Sequence, residues 1–98
     1  MTAFNVVKFD VKPECVTDFI ALTSSFDLVP GCIRRVMIKT GETTFCTIGE
    51  WHSTQDLVDG RAASVGNLEK MRPMLNKISE TLGVTDAVSG ETVYDLPK

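Results

Sequence analysis

Residues 32–51 read Cys-Ile-Arg-Arg-Val-Met-Ile-Lys-Thr-Gly-Glu-Thr-Thr-Phe-Cys-Thr-Ile-Gly-Glu-Trp. Two β-rich runs, 32–39 and 43–51, flank Thr40-Gly41-Glu42. A short glycine-bearing connection between two such runs predicts a hairpin. Residues 4–11, Phe-Asn-Val-Val-Lys-Phe-Asp-Val, alternate Val7, Phe9 and Val11 with Lys8 and Asp10 and predict a further strand. Between that strand and the hairpin, Pro13 and Glu14 suit the first turn of a helix. Val16, Phe19, Ile20 and Thr23 then recur at helical spacing, with an end near Ser24 or Ser25. Val29-Pro30-Gly31 signals the turn into the hairpin.

Beyond the hairpin, Ser53 is a candidate N-cap with Asp56 three residues on. A helix is expected from about 54, with Gly60 and Gly66 as possible interruptions. Leu68, Met71, Leu75, Ile78 and Leu82 continue the helical spacing, Pro73 predicts a kink or a restart, and Gly83 a C-cap. Residues 84–90 read as a loop and 91–96 as a last strand. The order β-α-β-β-α-β defines an α+β, ferredoxin-like fold: a four-stranded antiparallel sheet with helices on one face. The chain, 1–98, reads as a single domain.

The strands carry apolar residues on both faces. Phe4 and Val6 oppose Val7 and Phe9; Cys32, Val36 and Ile38 oppose Ile33 and Met37; Cys46 and Ile48 oppose Phe45 and Trp51. Helices cover one face, so the other predicts a homodimer through the open sheet face.

Composition narrows the function classes. Hydrophobic residues make up 43% and charged residues 23%, which excludes a disordered chain. A net charge of −3 argues against nucleic-acid and anionic-membrane partners. No apolar run reaches a membrane-spanning length, and the N-terminal stretch lacks the pattern of a signal peptide. Cys15, Cys32 and Cys46 are odd in number and widely spaced, which predicts reduced thiols, no metal site and a cytoplasmic protein.

Several segments resemble the dimeric α+β-barrel superfamily, in particular the antibiotic biosynthesis monooxygenase-like domains. They are Val-Lys-Pro-Glu at 11–14, Val-Pro-Gly-Cys at 29–32, Ile-Gly-Glu-Trp-His-Ser at 48–53 and Gly-Val-Thr-Asp-Ala-Val-Ser-Gly at 83–90. The resemblance implies a dimeric barrel, a pocket between sheet and helices, and a C-terminal strand reaching towards the partner. Its quinol-oxidising branch places a Trp where Trp51 stands. That branch has an Asn where this chain has Thr47, a Tyr where it has Leu57, and an Arg near Arg72. The haem-degrading branch is less similar, since residues 54–82 hold no Trp and no His.

These readings give a set of candidates. The resemblance implies a cofactor-independent monooxygenase-like protein acting on an oxidisable aromatic or quinol compound. His52, as the one imidazole of the chain, and Arg72 are the candidate catalytic groups. Trp51, Thr47, Asn5, Phe9 and Phe45 are the candidate substrate-binding residues, around a small hydrophobic or aromatic ligand. No cofactor is expected. Of the basic run Arg34, Arg35 and Lys39, neighbours point opposite ways; they read as strand-edge charges, or as one arginine for an anionic ligand. The alternative function is a non-catalytic dimer that binds a small hydrophobic molecule or assists another enzyme.

Overall fold

The computed structural model describes residues 1–97. Four strands, β1 (Ala3–Asp10), β2 (Cys32–Lys39), β3 (Thr44–Trp51) and β4 (Thr85–Glu91), form one sheet in the order β2-β3-β1-β4. Every neighbouring pair is antiparallel. A single 3₁₀ turn at Pro13–Cys15 leads into α1 (Val16–Ser24). After the hairpin come α2 (Thr54–Asp59) and α3 (Arg61–Met71), then a 3₁₀ turn at Arg72–Met74. This is the ferredoxin-like α+β arrangement expected from the element order.

Sequence chemistry explains the local choices. Ser53 caps α2: its Oγ accepts from Asp56 N at 3.1 Å and donates to the Asp56 carboxylate at 3.1 Å. Gly31 takes φ +91°, a conformation that favours glycine. Its carbonyl accepts from His52 N at 3.1 Å, tying the entry of β2 to the end of β3.

Five expectations need correction. A bulge between Cys32 and Arg34 shifts the β2–β3 register, so Cys32 pairs with Trp51 and packs beside it rather than on the side of Val36 and Ile38. Gly66 does not interrupt α3. The helix ends at Met71 instead of running to Leu82, because Pro73 supplies no N–H and residues 74–76 bond to the end of β1 instead. Lys12 N donates to Met74 O and Asn76 N donates to Asp10 O, both at 2.8 Å, while Leu75 turns extended and bridges Val11. Gly83 therefore closes a short turn, its N–H donating to Ser79 O, rather than capping a helix. Finally, β4 is 85–91, not 91–96. It pairs with β1 until that strand runs out at Ala3, opposite Glu91, and Thr92 N then donates to Thr2 O.

The helices cover the sheet face that carries Phe9 and Phe45. Phe19 from α1 sits between them, 5.7 Å from the Phe9 ring and 5.5 Å from that of Phe45, with Val11, Met71 and Leu75 completing the main core. A second, smaller cluster of Ala3, Trp51 and Leu57 lies at the other end of the same face. The opposite face carries a row across all four strands, Val36–Ile48–Val6–Val88, with Val88 65% exposed. The accessible surface of 6380 Å² exceeds the roughly 5,500 Å² expected for a monomer of this mass. Among the described residues no helix is long and apolar enough to cross a membrane.

Candidate active site

Between the two core clusters the covered sheet face opens into a cavity of about 370 Å³. Its floor is the four strands, and its walls are α1, α2, α3 and the 26–29 loop. Phe9 and Met71 reach it from the main core, Trp51 and Leu57 from the smaller one.

The polar floor comes from the register. Asn5 on β1 pairs with Gly49 on β3, and Gly49 pairs with Arg35 on β2. Side chains directly opposite one another across a sheet share a face, so Asn5, Gly49 and Arg35 form one row. The Trp51 Nε1–H donates to Asn5 Oδ1 at 2.7 Å. An indole nitrogen can only donate, so this bond fixes the amide orientation and turns Nδ2, a donor, towards the remaining space. Gly49 permits the pairing. A Cβ there would collide with Asn5 Oδ1 and stand 3.1 Å from Trp51 Nε1. Gly60, at the junction of α2 and α3, permits the burial of the indole: a Cβ there would lie 2.7 Å from two of its ring carbons. Trp51 is 4% exposed.

Arg35 is the half-buried cation of the site. Its Nη2 donates to Thr23 O at 2.8 Å and to Phe26 O at 3.4 Å, and the guanidinium lies 5.8 Å from the Phe26 ring centre. Burial pushes the Cys32 thiol up, against a downward pull from a backbone hydrogen bond and the Arg35 charge, so it stays neutral in ordinary conditions. Arg61 adds a second positive charge to the lining.

The cavity gathers Asn5, Phe9, Thr47 and Trp51 from the sequence candidates. Phe45 lies beneath it, buried in the core against Phe19. His52 and Arg72 are not among the lining residues. His52 is exposed just after β3. Arg72 is exposed beyond α3 and holds the Glu69 carboxylate through two hydrogen bonds, of 2.9 and 3.2 Å. That pairing lowers the Glu69 pKa and raises that of Arg72. The sequence signal that would have found the Asn5–Trp51 pair is the lone glycine inside β3, since a strand glycine marks a close approach.

No family model and no curated protein matches the sequence. Solved structures do match in three dimensions. SnoaB from Streptomyces nogalater, described as a cofactor-independent oxygenase, superposes with a TM-score of 0.70 at 14% identity, over 99% of this chain and 98% of that one. A conserved protein from Methanosarcina mazei Go1 superposes with a TM-score of 0.75 at 19% identity, over 92% and 91%. A structure described as an antibiotic biosynthesis monooxygenase superposes with a TM-score of 0.70 at 16% identity, over 94% and 99%. The chain thus has the ferredoxin-like α+β fold of the antibiotic biosynthesis monooxygenase-like proteins.

Proposed function

We propose that this protein is a cofactor-independent monooxygenase acting on a small oxidisable aromatic or quinol compound. The observation that carries the reading is the Asn5–Trp51 hydrogen bond at the floor of an aromatic-walled cavity. The likeness to SnoaB supports it at the level of fold.

In this reading the substrate ring lies along Trp51 and Phe9. The Asn5 Nδ2–H donors and the Thr47 hydroxyl hold its oxygen atoms. Oxygen insertion at a ring C–H carbon of the phenol, which its keto tautomer carries as CH₂, takes one atom of O₂ into a new carbonyl, while the other leaves as water with the two hydrogens. The anion of the substrate supplies the electrons, so donors that stabilise its charge in a cavity sheltered from water lower the barrier. Among the described residues the lining carries two arginines and a thiol and no carboxylate or imidazole. Deprotonation is therefore assisted by favouring the anion rather than by a side-chain base. In this reading His52 and Arg72, which do not line the cavity, take no part in the step.

We propose further that the protein works as a homodimer through the open sheet face. The Val36–Ile48–Val6–Val88 row supports this reading. So do the exposed Val93, Tyr94 and Leu96 of the tail, which offer more apolar surface for a partner.

A second reading is favoured by the missing base: a dimer that binds a small hydrophobic molecule without turning it over. Oxygen uptake separates the two. With a panel of hydroquinones and no added flavin or metal, an enzyme consumes oxygen above the buffer rate. Trp51→Phe, which removes the N–H holding Asn5, then lowers that rate at least tenfold. A binder gives the buffer rate with every compound.

A further inference from the structure

The protein carries a net charge of −3, with 13 acidic residues among 98. None of them lines the cavity, whose charged side chains are Arg35 and Arg61. A positive cavity in an acidic protein is a selective feature of the site.

Arg35 is the member built into the floor. It stands on β2 in the row Asn5–Gly49–Arg35. Two backbone carbonyls and the Phe26 ring hold it, and no carboxylate pairs with it among the described residues. Its hydrogen bonds there use Nη2 alone, which leaves Nε and Nη1 without partners among the described residues. A half-buried guanidinium without a counter-ion favours an anion brought by a ligand, and its planar donors match a carboxylate. Gly49 puts no side chain between Arg35 and Asn5. Their backbones stand two strand spacings apart, roughly 10 Å, so one planar ligand can touch both.

We infer that Arg35 makes the cavity selective for aromatic acids, with the carboxylate on Arg35, the ring along Trp51, and a second oxygen on Asn5. The inference rests on the cavity being the substrate site and deepens that reading by naming the class of ligand.

Calorimetric titration of the whole protein with naphthalene carboxylate and with the neutral naphthalene carboxamide tests it. The carboxylate binds at least tenfold more tightly to the native protein, the value of one good charge-assisted contact. Arg35→Gln removes the preference. Arg34→Gln, which deletes the same charge from the opposite face of β2, keeps it. If Arg35→Gln fails to fold, Arg35→Lys, which keeps the charge but loses the planar pair of donors, weakens the preference. Equal binding of acid and amide by the native protein overturns the inference. So does a preference that survives Arg35→Gln or is unchanged in Arg35→Lys. Its failure is separable from that of the oxygenase reading. Selective binding of the acid with no oxygen uptake from hydroxylated aromatic acids sinks the oxygenase alone. Oxygen uptake from neutral quinols without a carboxylate preference sinks the inference alone.

Discussion

Two glycines of one helical segment should respond to alanine with opposite signs. Gly66 lies inside α3, and a Cβ added there meets nothing within 4 Å. Gly66→Ala gains helix propensity and stabilises by about 0.8–1 kcal/mol. Gly60 joins α2 to α3 with φ −79°, so alanine suits its backbone equally well. There, however, the new methyl meets Trp51 Cη2 and Cζ3 at 2.7 Å and Val29 Cγ1 at 3.1 Å. Overpacking of this kind costs about 1–3 kcal/mol. With the full propensity gain of about 1 kcal/mol set against it, a net loss of up to about 2 kcal/mol remains. At about 4–8 °C per kcal/mol for a domain of this size, thermal unfolding should fall by up to roughly 16 °C in Gly60→Ala and rise by roughly 3–8 °C in Gly66→Ala. Trp51→Phe lacks the two carbons that clash. Adding Gly60→Ala to that variant should cost much less, because only the tight Val29 contact remains, a coupling that a double-mutant cycle reads directly. Calorimetry with tryptophan emission is the assay. A stabilising Gly60→Ala, or a loss that persists undiminished without the indole, would refute the placement of Trp51 and with it the geometry of the site.

Other parts of the molecule give further expected outcomes. Ile48→Glu places a charge in the centre of the uncovered row, and native mass spectrometry should show monomer where the native protein shows dimer; an unchanged dimer would move the interface elsewhere. The Cys32 thiol, pushed up by burial, should react with iodoacetamide at mildly alkaline pH more slowly than free cysteine, and a rate as fast would contradict its neutral, packed state. Glu69, held down by its hydrogen bond to Arg72, contributes stability above its unfolded pKa that is lost as pH falls through its lower folded value. Because both side chains are exposed, Glu69→Gln should lower stability only slightly near neutral pH and converge with the native protein in acid, the difference being smaller still at high salt. A large, salt-independent effect would mean that Arg72 does more than pair on the surface.

Much of the fold is legible in the sequence because runs rich in β-branched and aromatic residues are separated by Pro, Gly and Ser turn and cap signals. The strand at 32–39, the N-cap at Ser53 and the end of α1 lie where local chemistry puts them. The C-terminal third departs from its sequence pattern for a reason that is not local. The stripe Leu68, Met71, Leu75, Ile78, Leu82 has helical spacing, yet Leu75 is buried by bridging Val11, and Ile78 and Leu82 stay exposed. Residues 84–90 carry turn-forming Asp86, Ser89 and Gly90, but the free edge of β1 makes a strand of them. In the site, Trp51, Asn5 and Thr47 can each be singled out by residue type. That Asn5 and Trp51 join depends on the strand register, which composition does not reveal. Arg35 is visible in the sequence only as one of several strand charges, because the face it takes depends on the bulge that precedes it.

The central claim is that the cavity around Asn5 and Trp51 performs oxygen insertion. Turnover of a hydroxylated aromatic compound under heavy-isotope dioxygen, with mass spectrometry of the product, tests it most directly. The account predicts one labelled oxygen atom in the product, with formation slowed at least tenfold by Asn5→Ala. A product without label, or one formed as fast when Asn5 is removed, would contradict it.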